Sequence, residues 1–213
     1  MFVQVIKGKV SDPTAFRAAL TSWLYELAPG ATGWRGSTTG VTDDGTLIAV
    51  ARFDNEDNAR RNSDRPEQAQ WWTETKRLFD DEVTIENSVD VDDYVVGDPD
   101  TAGFVQVMQG QVSDLDWARD VMQQRPDNLE QLRPDILAIL NLAHKDGGWT
   151  SVVYFTSEAD ARQRESQDPP TEFAAMMQGM ASLSVGETTY YDLRQVWLAS
   201  PPTARTQSMF GVA

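Results

Sequence analysis

The sequence predicts an α+β protein made of two copies of one β-α-β-β-α-β unit, and three observations predict it. The run Phe2 to Asp12 returns as Phe104 to Asp114, an offset of 102 residues with eight of eleven positions identical. The same offset carries Phe53 onto Phe155, Glu56 onto Glu158, Ala59 onto Ala161 and Arg60 onto Arg162. It also carries the turn pair Asp44-Gly45 onto Asp146-Gly147. A register kept over so long a stretch is a duplicated domain.

In the first copy, residues 2–10 are rich in β-branched side chains, end at Ser-Asp-Pro and read as a strand. Asp12 is a good helix cap and Pro13 a good first helical residue. Phe16, Leu20, Trp23, Leu24 and Leu27 then recur at helical spacing until Pro29-Gly30 stops them. Trp34 to Thr42 and Leu47 to Phe53 flank Asp43-Asp44-Gly45, which is a hairpin signature. A polar helical stretch from Asn55 is interrupted near Arg65-Pro66, and a second one runs to about Asp80. Val83 to Val96 alternates again and reads as one last strand.

This order is the ferredoxin-like split unit, a four-stranded antiparallel sheet with its helices on one face. The second copy repeats it, with a strand at 104–112, a hairpin turning at Asp146-Gly147-Gly148, a helical region over about 157–181 and a last strand over about 183–198. Pro126 and Pro134 make its first helix poorer. The runs Ile48-Ala49-Val50-Ala51 and Val152-Val153-Tyr154-Phe155 are apolar on both faces, so each sheet needs a second cover. The expectation is two tandem ferredoxin-like βαββαβ repeats packed face to face as an intramolecular pseudo-dimeric α/β barrel. The divisions expected are 1–97, a linker at 98–103, 104–199, and a loosely ordered tail at 200–213.

The 213 residues carry a net charge of −15, spread over both halves. Such a surface suits neither nucleic acid nor an anionic membrane. There is no cysteine and a single histidine, which excludes disulfides and thiolate chemistry and disfavours a transition-metal site. No stretch is long and apolar enough for a membrane span, and the N-terminus lacks a signal pattern. We expect a soluble, cytoplasmic protein, as a monomer or a homodimer, with neither metal nor cofactor.

The segment Asn58-Ala59-Arg60-Arg61-Asn62 followed by Arg65-Pro66-Glu67-Gln68-Ala69-Gln70-Trp71-Trp72 carries a resemblance. An Asn-bearing helix followed by a Trp-bearing helix in a βαββαβ repeat resembles the dimeric α/β-barrel superfamily, and within it the antibiotic biosynthesis monooxygenase (ABM) group. The resemblance covers nearly the whole chain as two fused units. It implies a pocket between sheet and helices in which an aromatic, polyketide-like molecule is oxidised by O₂ without metal or flavin. It implies that Asn62 and Trp71 or Trp72 orient the substrate. On physical grounds Arg52, on the second hairpin strand, is a further candidate, since its charge can stabilise a substrate enolate. An indole face and N–H can hold a planar, partly polar ring, and an Asn amide can bond a phenolate. Tyr154, His144, Gln4 and Gln106 are further candidates for substrate contact.

Structural readings stand beside these. Trp71 and Trp72 also sit at helical core spacing. Asn62 precedes a chain break and can cap it, and Gln4 and Gln106 can face each other between the sheets. His144, a possible proton shuttle, also fits an exposed position beside a turn. At the 102-residue offset Asn62 becomes Arg164, Trp71 becomes Phe173 and Trp72 becomes Ala174, so the constellation belongs to the first repeat only. The alternative function is a non-catalytic binding or accessory protein using the same pocket.

Overall fold

The computed structural model describes residues 1–123, 125, 126, 128–169 and 171–201. From residue 202 on, the expectation of a loosely ordered tail lies outside the described residues. In the first repeat, β1 (Phe2–Lys9) leads to α1 (Pro13–Glu26), whose first turn is closed by the Asp12 carboxylate accepting from Ala15 N at 2.9 Å. The hairpin β2 (Trp34–Val41) and β3 (Thr46–Phe53) turns through Gly45, whose φ of 82° suits a residue without Cβ. Then come α2 (Glu56–Ser63), capped by Asn55, and α3 (Pro66–Thr75), which begins at a proline placed where a helix tolerates one. The final run is broken at Val89 into β4 (Thr84–Ser88) and β5 (Asp90–Val95).

The second repeat contains β6 (Phe104–Gln111), α4 (Leu115–Gln123), the one-turn α5 (Leu129–Leu132), β7 (Ile136–Ala143) and β8 (Gly148–Phe155). It continues with α6 (Glu158–Glu165), α7 (Thr171–Leu183), β9 (Thr189–Leu193) and β10 (Val196–Ala199). Among the described residues α4 spans 9 residues against 14 in α1, and Pro126 follows it closely.

The two sheets have the orders β10-β2-β3-β1-β4 and β5-β7-β8-β6-β9. All pairings are antiparallel. The expected single last strand therefore divides its loyalty. β4 pairs with β1 of its own repeat, whereas β5 pairs with β7 of the other, and β10 returns the exchange by pairing with β2. At the first crossing Ser88 is buried, with its Oγ 2.7 Å from Ala143 O and 2.8 Å from Asp90 O.

Between the sheets lies an apolar core drawn from both repeats, including Val3, Val5, Ile48, Val50, Val105, Val107 and Val152. Burying each such side chain contributes about 1.5–3 kcal/mol. The alternate residues of the same strands face the helices, as period-two alternation demands. The fold is thus two ferredoxin-like units joined as a pseudo-dimeric barrel with helices outside.

The 102-residue offset does not persist to the end. Val3 pairs with Ser88 but Val105 with Leu193, and Asp80 N bonds Lys9 O where Val185 N bonds Gln111 O. The offset in the last part of the repeat is therefore 105, and the extra residues lie between α6 and α7. This corrects the expected correspondence of the tryptophans: Trp71 and Trp72 match Met176 and Met177, not Phe173 and Ala174.

Candidate functional site

In the first repeat six aromatic rings pack in series between sheet and helices. Trp34, Trp23, Trp71, Trp72, Phe79 and Phe16 follow one another with centroids 5.2–6.4 Å apart. Trp23 donates to Gln68 Oε1 at 2.6 Å and Trp71 to Ala19 O at 3.1 Å, so both indoles are satisfied within the protein. At the matching positions the second repeat has Ile136, Arg125, Met176, Met177, Ser184 and Ala118. A ring replaced by a methyl or a hydroxymethyl leaves space unless the backbone collapses. Here a cavity of about 1040 Å³ lies between the second sheet and its helices. Its wall is soft and apolar, with Met176, Met177 and Met180 on α7 and Met122 on α4.

The floor of the cavity is the helix-facing side of β5-β7-β8-β6-β9. Strand register sets its rows. One row runs Asp92, Asn141, Ser151, Met108, Tyr190 and the next runs Tyr94, Ile139, Val153, Gln106, Asp192. Polar groups therefore meet the cavity at two stations. At the first, Ser151 Oγ donates to Asn141 Oδ1 at 2.8 Å, and Asn141 Nδ2 donates to Asp92 Oδ2 at 3.2 Å. The Arg125 guanidinium grips Asp92 with two bonds, at 2.6 and 3.1 Å, and lies 5.1 Å from the Tyr94 ring centroid. That guanidinium, against the opposing cost of burial, holds the Asp92 carboxyl below the ordinary carboxylate range. At the second station, Gln106 Nε2 donates to Asp192 Oδ1 at 2.9 Å, and Asp192 also pairs with Arg162, which covers the Phe104 ring. Because of the strand exchange, Asp92 reaches this site from the first repeat.

The expected site residues are distributed over several places. Asn62 is buried on α2 with its Oδ1 unpartnered, and Trp71 and Trp72 belong to the ring series. Arg52 lies on the opposite face of β3, the one shared with Ile48 and Val50, with its Nε buried and unpartnered. The sheet thus separates Arg52 from the tryptophans, and none of the four lines the large cavity. The cavity sits in the other repeat from the one the motif favours. Tyr154 also faces the inter-sheet core, where its hydroxyl is 2.7 Å from Thr38 Oγ1. Gln4 bonds Asn87 and Gln106 bonds Asp192 on the helix-facing side, so the two glutamines do not meet between the sheets. Of the eight candidates only Gln106 lines the large cavity.

His144 is not the exposed turn residue its position suggests. Its ring is packed inward, with Nε2 2.7 Å from Thr150 Oγ1 and 3.6 Å from Glu86 Oε2, and Nδ1 is buried without a partner. It lines a smaller polar recess of about 310 Å³ together with Lys7, Gln109 and Tyr191. Among the described residues no group of three or more His, Cys, Asp or Glu could hold a metal ion, and no helix is long and apolar enough to cross a membrane.

The polar floor had a signal in the sequence. At the 102-residue offset Thr39 becomes Asn141, Ala49 becomes Ser151 and Leu47 becomes Trp149, changes of character at strand positions that face the helices. The loss of Phe16 to Ala118 was equally visible. Asp92 was not, because its position beside Asn141 depends on a strand exchange between repeats.

No protein-family model matches the chain, and no curated protein sequence matches it. Solved structures do. A protein named "Putative monooxygenase" from Lactobacillus acidophilus NCFM aligns over 93% of this chain and 95% of its own, at 12% identity and a TM-score of 0.71. A second so named, from Fusobacterium nucleatum, aligns over 93% and 94%, at 10% identity and a TM-score of 0.72. An anthrone oxidase-like protein aligns over 95% of both chains at 12% identity and a TM-score of 0.64. At such identities the likeness is one of fold. In fold, the chain is a pseudo-dimeric α/β barrel of two fused ferredoxin-like units, the fold it shares with these solved structures.

Proposed function

We propose that the second-repeat cavity binds an apolar small molecule with a planar ring system and that the protein oxidises it with O₂ as an ABM-type monooxygenase, the first repeat being the packed, structural half. The observation that carries this reading is the selective emptying of one repeat. Six rings pack in series in the first, and the matching positions of the second line or border a cavity large enough for a multi-ring ligand. Conversion of a ring CH₂ to C=O by O₂, with water as the other product, balances without a metal, flavin or added reductant. In this reading the roles expected of Asn62, Trp71, Trp72 and Arg52 pass to the floor of the second repeat. The monooxygenase names of the fold neighbours support the reading without fixing a substrate.

The test is oxygen uptake and ligand binding with anthrone as probe, on wild type and on Ala118→Phe. That substitution restores the ring found at Phe16 and refills the cavity. Saturable binding with O₂ consumption, both lost in folded Ala118→Phe, is the expected result. Binding without O₂ consumption leaves a binding protein. Binding unaffected by Ala118→Phe moves the site elsewhere.

A further inference from the structure

The direction of hydrogen bonding on the cavity floor is fixed from outside the cavity. Asp92, held as a carboxylate by the two bonds from Arg125, can only accept. Asn141 must therefore turn its NH₂ towards Asp92, which leaves its carbonyl oxygen facing Ser151. Ser151 has one proton and gives it to that oxygen at 2.8 Å. What remains for a ligand at Ser151 is a pair of acceptor lone pairs and no donor. Ser151 itself is buried, 6% exposed, and lines the cavity with Asn141 and Asp92.

The first repeat shows what this replaces. The row Trp197, Thr39, Ala49, Ile6 stands where the second repeat has Asp92, Asn141, Ser151, Met108. The polar chain exists only beneath the open cavity. On the reading of that cavity as a ring-binding site, we propose that the Ser151–Asn141–Asp92 chain is its specificity element, and that it selects ligands presenting a hydroxyl donor, a phenol in place of an aryl ether or an unsubstituted ring.

The preference follows from what a wrong ligand breaks. A phenol O–H donates to Ser151 Oγ with every existing bond kept. An ether oxygen meets only lone pairs, or forces Ser151 to turn and leaves the part-buried Asn141 carbonyl without a donor. Sites built around a buried hydrogen bond reject analogues that cannot complete it far more strongly than they reject a change in apolar bulk.

The experiment is calorimetric titration of the intact protein with 1-naphthol, 1-methoxynaphthalene and naphthalene, on wild type, Ser151→Ala and Asp92→Asn. Ser151→Ala reproduces the residue at Ala49 in the first repeat, and Asp92→Asn removes the charge that fixes the direction. Wild type should bind 1-naphthol at least about tenfold more tightly than the methyl ether, a difference of about 1.4 kcal/mol. Ser151→Ala should bind all three alike, and Asp92→Asn should narrow the gap, because its amide no longer dictates the Asn141 orientation. Equal wild-type affinity for the phenol and the ether, or a preference surviving in Ser151→Ala, overturns the assignment while binding of naphthalene keeps the cavity reading intact. Failure of all three probes to bind removes the cavity reading and the assignment with it.

Discussion

Thr38 and Tyr154 touch across the interior of the barrel, their hydroxyl oxygens 2.7 Å apart and both residues buried. One belongs to β2 of the first repeat and the other to β8 of the second, so this hydrogen bond joins the halves inside an apolar core. Tyr154→Phe leaves the Thr38 hydroxyl without its partner there. A loss of about 1–3 kcal/mol is expected from a buried group so orphaned. Urea unfolding measures it. Ligand binding should be unchanged, since Tyr154 faces away from the large cavity; a binding defect in a folded Tyr154→Phe protein contradicts that placement.

The ring series makes the first repeat sensitive to truncation. Trp23 is 8% exposed, packs between Trp34 and Trp71, and donates to Gln68. Trp23→Ala should cost about 3–5 kcal/mol. Met177→Ala at the matching place of Trp72 in the second repeat removes a half-exposed side chain and should cost under about 1 kcal/mol. Thermal melts of the two variants measure the difference.

Much of the architecture is legible in residues 2–12 and 104–114, because a duplicated strand-to-helix junction sets both repeats in register. The helices and hairpins follow from Asp12-Pro13, Asp44-Gly45 and their copies. Two things are hidden. The strand exchange is invisible because Val83 to Val96 reads as one alternating run, and only the buried Ser88 marks where it changes sheets. The added residues before α7 are hidden because the segment is polar and unpatterned, and they shift the match of Trp71 from Phe173 to Met176. A motif centred on Asn62 and the tryptophans points to the repeat whose interior is full, whereas the cavity is marked by what is missing at Ala118 and Ser184.

Acid should act through the Asp92–Arg125 pair. The guanidinium keeps the native Asp92 carboxyl below its ordinary value of about 3.9. The native state therefore takes up this proton less readily than the unfolded chain does. The pair's contribution is complete above about pH 4, the unfolded value, and fades as pH falls through the lowered native one. The effect is modest, since the Asp92 side chain is 37% exposed. Urea midpoints between pH 2.5 and pH 7, buffer conditions chosen to span that window, should fall more steeply on the acid side for wild type than for Asp92→Asn. Parallel curves would mean that the pair adds nothing.

The helix after β8 depends on its cap. Ser157 Oγ accepts from Asp160 N at 3.1 Å and donates to the Asp160 carboxylate at 2.6 Å. Ser157→Ala should cost about 1 kcal/mol. Amide exchange should show the loss in α6 first, ahead of the barrel strands, because a cap acts on its own helix turn.

In a symmetric homodimer every substitution is made twice, so emptying a pocket weakens both subunits at once. A fused chain is free of that coupling. Here the halves are interlocked by β5 and β10, and the six-ring series anchors only one of them. The two halves share one barrel wall, built from strands of both. Asymmetry of this kind lets a small protein keep a wide, soft-walled chamber while confining the structural loss to one side.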